Sequence, residues 1–235
     1  MDFEVLTLFP EQIENTFLQG ITGRAASKGI VNLKTVNIRD FCVNSYGSVD
    51  DYTYGGGAGM LMMCDPVYNA YLKAEEDLEG RKARVIYLTP QGETFSQEKA
   101  RELSKEEALI MLCGHYEGID ERVLEEIVTD CISIGDYVLT GGELACLVVM
   151  DSITRLLPGA LGNGESAGDE SFSGKLLEYP QYTRPEIWHE RKVPGVLLSG
   201  DHKKVDQYRV REARKRTRER RPDLYGEYLR DRGIY

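Results

Sequence analysis

The chain has 235 residues, 41% of them hydrophobic and 29% charged, and a formal charge of −10. That length buries a sizeable core without disulfide or metal staples. The longest uninterrupted apolar run, residues 144–150, is far short of the ~20 needed to span a bilayer.

From the N-terminus, Met1-Asp2-Phe3-Glu4 is acidic where a secretory signal is basic, so no export is expected. Strand-length apolar segments bounded by Gly, Pro or Asp fall at 3–9, 31–39, 84–89, 108–113 and 131–134. Helical patterns lie between and after them, at 11–27, 66–78, 96–105, 120–128 and 142–157. Ser96 is placed to cap its helix, and Asp65-Pro66 reads as an N-cap with Pro at the first helical position. This alternation predicts an α/β domain with a mainly parallel sheet over residues 1–160. Residues 161–173 follow, rich in Gly, Ser and acid, and read as a flexible linker. Beyond them Pro180, Pro185 and Pro194 break the chain into short pieces before helical runs at 202–220 and 223–232. A small helical domain is therefore expected over 174–235.

Charge is divided unevenly between these parts. Residues 201–235 hold 12 Lys/Arg against 7 Asp/Glu, a net of +5, which leaves −15 on the other 200. The stretch 209–221 concentrates eight basic groups and is flanked by Tyr208 and Tyr225. Arginine predominates there, which suits bidentate phosphate contacts and base stacking, so the tail is read as an RNA-binding segment rather than a solvated face.

Five cysteines without a C-x-x-C pair fit neither a disulfide framework nor a zinc ribbon, and the three histidines are too scattered for a metal cluster or a nucleophilic triad. A reducing cytoplasm is the expected compartment, and no metal site is predicted. G-x-G-x-x-G after the first strand, a P-loop and a G-x-S-x-G elbow are all missing, which disfavours a common Rossmann site, NTP hydrolysis and a serine hydrolase. What stands out instead is a set of glycine-bearing loops: 54–60 (YGGGAGM), 88–92 (LTPQG), 113–118 (CGHYEG) and 134–142 (IGDYVLTGG). The last three each follow a predicted strand, where ligands of open α/β sheets bind and glycine lets backbone N–H and C=O groups come close. Three such loops can enclose one nucleoside-sized ligand. The acid pairs Asp50-Asp51 and Asp169-Glu170 lie beside or within loops where a carboxylate can work as a base.

Taken together, Tyr54–Met60, Leu88–Gly92, the run 113–122 (CGHYEGIDER), the run 133–143 (SIGDYVLTGGE) and 179–185 (YPQYTRP) resemble the bacterial tRNA (guanine-N1)-methyltransferase family over essentially the whole chain. The resemblance implies a SPOUT-type, trefoil-knotted parallel-sheet domain with a small C-terminal helical domain, and a homodimer with active sites at the subunit interface. It implies S-adenosylmethionine as methyl donor, held by Tyr87, Leu88, Pro90, Gly114, Tyr116, Glu117, Ile134, Gly135, Asp136, Tyr137, Val138, Leu139, Gly141 and Gly142. The implied substrate is N1 of the tRNA guanosine at position 37, next to the anticodon. Asp50 and Gly59 match positions that meet substrate, and Arg209, Arg214, Arg216 and Arg218 are the tail residues expected on tRNA. Arg155 matches an active-site arginine. The family's base is an Asp before Ser-Phe; here Glu170 stands in that place, with Asp169 as the competing candidate. Ala58 replaces the family's usual Pro. Two other readings are a non-catalytic RNA-binding protein, which would not need the donor loops, and an enzyme acting on a small nucleotide.

Overall fold

The computed structural model describes residues 1–42, 47–161 and 171–234. Asp169 and Glu170, with most of the expected linker, lie outside the described residues. The chain divides into two compact units, Met1–Gly162 and Asn163–Tyr235.

The first unit runs β1 (Asp2–Thr7), α1 (Pro10–Phe17), α2 (Gly20–Ser27), β2 (Asn32–Asn37), β3 (Asp50–Tyr52), β4 (Met60–Met62), α3 (Cys64–Asp77), β5 (Ala83–Thr94), α4 (Gln97–Leu103), β6 (Ala108–Cys113), α5 (Glu121–Ile127), β7 (Asp130–Ser133) and α6 (Glu143–Thr154). Five strands form one sheet in the order β2-β1-β6-β5-β7, every pair parallel. Helices therefore cover both faces, and a central strand must be apolar along its whole length. β6, with the sequence ALIMLC, is buried at all six positions.

Alternation along β1 sends side chains to two separate cores. Phe3 and Val5 pack with Ile13, Phe17 and the α6 residues Val149, Met150 and Ile153. Leu6 faces the other way, with Val67, Ala70 and Ala74 of α3. α6 is apolar nearly all round because it fills the first of these cores, leaving only Leu144, Val148 and Asp151 exposed.

Several expected boundaries move. The helix read over 11–27 is two helices, broken where Gly20 takes φ +60°. α3 begins at Cys64 with Met63 as its N-cap, so Asp65 sits in the first turn instead of capping it. β5 continues to Thr94, past the expected end at 89, because Glu93 and Thr94 pair again with β7 after a register shift. The β3–β4 hairpin was not anticipated. Ser96 does cap α4, its Oγ accepting from Lys99 N at 3.2 Å.

In the second unit a hairpin of β8 (Ile187–Trp188) and β9 (Arg191–Lys192) precedes α7 (His202–Arg220) and α8 (Pro222–Asp231). Its small core gathers Tyr208, Ala213 and Thr217 of α7 with Tyr228 of α8. Thr217 Oγ1 donates to Ala213 O at 2.7 Å and accepts from Leu177 N at 2.8 Å, which satisfies a buried hydroxyl twice. No helix among the described residues is long and apolar enough to cross a membrane.

Candidate active site

A cleft of about 310 Å³ opens at the carboxyl ends of β5, β6 and β7. The loops after β6 and β7 build its walls together with residues 87–91, expected to lead into a loop but lying within β5 at its register shift. Every residue expected to hold the methyl donor lines it except Asp136, which points to solvent from the same loop. Thr89, Gln91, His115, Gly118, Ile132, Ser133, Thr140 and Ala145 complete the lining.

The loops are shaped by sequence-local bonds and by close backbone approach. Ser133 Oγ accepts from Gly135 N at 3.2 Å, and Tyr137 N donates to Gly135 O at 2.9 Å, folding 133–137 into a tight turn. Tyr116 is held in the left-handed region at φ +58°, an unusual state for a non-glycine residue. Gly142 N donates to Gly114 O at 3.0 Å, and a Cβ on Gly142 would stand 2.8 Å from Cys113 Cα. Only glycine lets the start of α6 lie against the end of β6. Tyr87 supplies a floor to the cleft, and burial pushes its phenol up from the ordinary tyrosine range.

Glu117 joins this cleft to the hairpin loop. Its backbone N donates to Met60 O at 3.0 Å, and Gly59, at φ +99°, has no room for a Cβ, which would meet Glu117 Cγ at 2.5 Å. Met62 N in turn donates to Gly118 O at 3.0 Å. Gly59, read as a substrate position, is thus brought against a cleft residue. Asp50 lies in β3 opposite Met62 of β4.

Arg155 is not brought to the cleft of its own chain. It is the C-cap of α6, whose other end forms the cleft wall, and twelve residues separate the two. At 1.5 Å per residue that is ~18 Å.

The four tail arginines fall into two sets. Arg209 and Arg216 sit on the packed side of α7: the Arg209 guanidinium lies 5.0 Å from the Tyr179 ring centroid, and Arg216 Nη1 donates to Glu178 O at 3.4 Å. Arg214 and Arg218 are exposed, Arg214 also resting 5.6 Å from the Tyr228 ring.

One constellation was not read from the sequence. Glu143, 2% exposed at the first turn of α6, accepts from Thr7 Oγ1 at 2.6 Å and contacts His115 Nε2 at 2.9 and 2.7 Å through its two oxygens. The three residues come from β1, the loop after β6 and α6, so no local pattern could have joined them.

The chain matches the family model described as tRNA (Guanine-1)-methyltransferase TrmD over residues 1–227. Curated relatives named tRNA (guanine-N(1)-)-methyltransferase align nearly end to end. That of Lachnospira eligens is 54% identical over 230 residues, covering 98% of this chain and 97% of its own. Its counterpart in Ruminiclostridium cellulolyticum is 53% identical over 225 residues, with 96% of each chain covered. A Bacillus cereus relative is 53% identical over 227 residues, covering 97% of this chain and 93% of its own.

Proposed function

Because the chain belongs to the tRNA (guanine-1)-methyltransferase family, we propose that it transfers a methyl group from S-adenosylmethionine to N1 of a tRNA guanine, the one at position 37 beside the anticodon. The observation that carries this reading is the convergence of the glycine-bearing loops after β6 and β7 with residues 87–91 of β5 into one nucleoside-sized cleft. The cleft fits the donor: a side chain on Gly114 would crowd the Tyr87 ring that floors it, and Leu88, Ile134 and Val138 offer apolar contact to an adenine.

When bound, S-adenosylmethionine supplies a methyl group already activated on a sulfonium. The chain's own work is then to orient the base and manage one proton. Guanine N1 carries a hydrogen, and the Glu170 carboxylate, with Asp169 as its competitor, removes it as N1 attacks. The Arg155 guanidinium stabilises the negative charge that develops on O6. Gly59, packed on Glu117, sets the base loop against the donor cleft, and such positioning supplies much of the acceleration.

The separation of ~18 Å between Arg155 and the cleft along α6 supports a homodimer in which one copy lends Arg155 to the other's cleft. The second unit, with its basic helix α7, is the tRNA-binding domain over 174–235; residues 161–173 link it to the donor-binding domain, folded as a SPOUT-type trefoil knot. The protein works in the cytoplasm. Incubation with labelled methyl donor and unmodified tRNA, followed by mapping of the modified base, tests the proposal. Label at N1 of guanine 37 is expected; label on free nucleotides but not on tRNA, or none at all, overturns it.

A further inference from the structure

From the burial and bonding of Glu143 we infer that it is a positioning residue for the methyl donor: through His115 it locks together two adjoining loops that line the cleft. The inference rests on the reading of that cleft as the donor site.

Glu143 is the first residue of α6, directly after the wall residues Gly141 and Gly142, and His115 directly follows the wall residue Gly114. Facing a carboxylate, His115 Nε2 carries the proton and donates it from one loop to the other, at 2.7 Å to Oε2. Thr7 Oγ1, from the end of β1, donates to Oε1 and accepts from Phe9 N at 2.9 Å, so the carboxylate is itself held from a third element. The Phe9 ring packs against the imidazole at a centroid distance of 5.0 Å. Little of either partner reaches solvent, with side-chain exposures of 15% for His115 and 3% for Glu143. A pair this dry is strong and costly to break.

Gly141 records how closely the pair is fitted to the wall. A Cβ there would come within 2.2 Å of His115 Cε1 and 2.7 Å of Glu143 Oε2. The pair therefore fills the space against Gly141, with Glu143 behind the wall and His115 reaching the lining of the cleft. Charge at the N-terminal end of α6 adds to the arrangement, because the helix dipole favours a carboxylate in the first turn. None of this places His115 or Glu143 on the reacting atoms. Their effect passes through loops 114–118 and 134–142, whose backbone bond from Gly142 N to Gly114 O depends on the same registry.

The test is calorimetric titration of S-adenosylmethionine into the full chain carrying Glu143→Gln, His115→Gln or both, beside steady-state kinetics and thermal melts. Glutamine keeps the size of the buried side chain and removes the charge. Each single variant is expected to bind donor about 10- to 100-fold more weakly, as loss of a charge-assisted hydrogen bond implies. The double variant should lose no more than either single one. KM for the donor should rise more than kcat falls, and tRNA affinity without donor should stay at the wild-type value. Unchanged donor affinity in Glu143→Gln, or losses that add in the double variant, overturns the inference. Should Glu143→Gln not fold, His115→Gln alone decides by the same readings. Thr140→Trp, at an exposed lining position, separates the two levels. If it abolishes donor binding while Glu143→Gln does not, only the positioning role falls; if it also leaves affinity intact, the cleft assignment falls too.

Discussion

Glu4 projects from β1 toward the core shared with Leu6, and only 2% of the residue reaches solvent. Lys34 Nζ stands 4.0 Å from Oε1 but also serves Asp77 at 3.7 Å, and Oε2 has no hydrogen-bond partner. Burial therefore outweighs the attraction of Lys34, and the carboxyl is pushed up to about 7 from an ordinary 4.5. The folded chain holds this proton more tightly than the unfolded chain does. Stability from this group is thus fully present below pH 4.5 and is lost as pH rises toward 7. At 1.36 kcal/mol per unit the loss reaches at most ~3 kcal/mol. Glu4→Gln, which cannot ionise, should melt higher than wild type at pH 8 and no higher at pH 4.5. Differential scanning calorimetry at the two pH values decides it; an offset that is the same at both would remove Glu4 ionisation as the cause.

At the scale of elements, α7 illustrates how packing sorts residues that look alike in sequence. Successive residues turn by 100°, so Tyr208, Ala213 and Thr217 define a buried side that also contains Arg209 and Arg216, while Arg211, Arg214 and Arg218 face solvent. Arg209→Gln should lower the melting temperature through loss of its contact with Tyr179, worth ~0.5–2 kcal/mol, and change tRNA binding little. Arg218→Gln should leave the melt unchanged and reduce the log–log salt slope of tRNA binding by about one. Filter binding over a salt series checks this; a slope lost at Arg209 and kept at Arg218 would reverse the assignment. The basic run itself was legible, but its two sides were not, because the buried side is marked only by Tyr208, Ala213 and Thr217. Elsewhere the same limit holds. Strand β6 and the capped start of α4 could be read directly, since an unbroken apolar run and a Ser before a helix are local signals. The break at Gly20 could not, because Ile13, Phe17, Ile21 and Ala25 keep helical spacing straight across it. The three-residue strands β3 and β4 are too short to show a period. In the cleft, glycines marked the walls, whereas Glu143, His115 and Thr7 meet only through the sheet, Thr7 and Glu143 being 136 residues apart in sequence.

On the scale of the whole molecule, two features constrain how catalysis is assembled. Net charge is −15 over residues 1–200 and +5 over the remainder, so long-range attraction for a polyanion comes from the C-terminal unit. Raised salt should accordingly weaken tRNA binding steeply while leaving donor affinity nearly constant. The second feature is the placing of the proposed groups at opposite ends of α6, with cleft residue Gly142 before it and Arg155 after it. A helix cannot bend through ~18 Å to bring its own ends together, so a reaction using both groups draws them from two copies. Arg155→Ala should cost at least ~100-fold in methyl transfer, as loss of a donor to a developing oxyanion does, with donor affinity retained. Thr140→Trp should be inactive for the opposite reason, lacking donor. Mixing these two inactive variants after dissociation and reassembly then makes a specific demand. In a two-fold dimer, half of the random pairings are mixed, and each mixed dimer has one site with an intact cleft and an intact arginine, so about a quarter of wild-type activity should return. Recovery well above the sum of the separate variants establishes a shared site. If dimers exchange, as a tagged copy would report, and activity stays at the background of the two variants, then Arg155 does not serve the partner's cleft, and the O6 stabiliser has to be sought among residues beside the cleft itself.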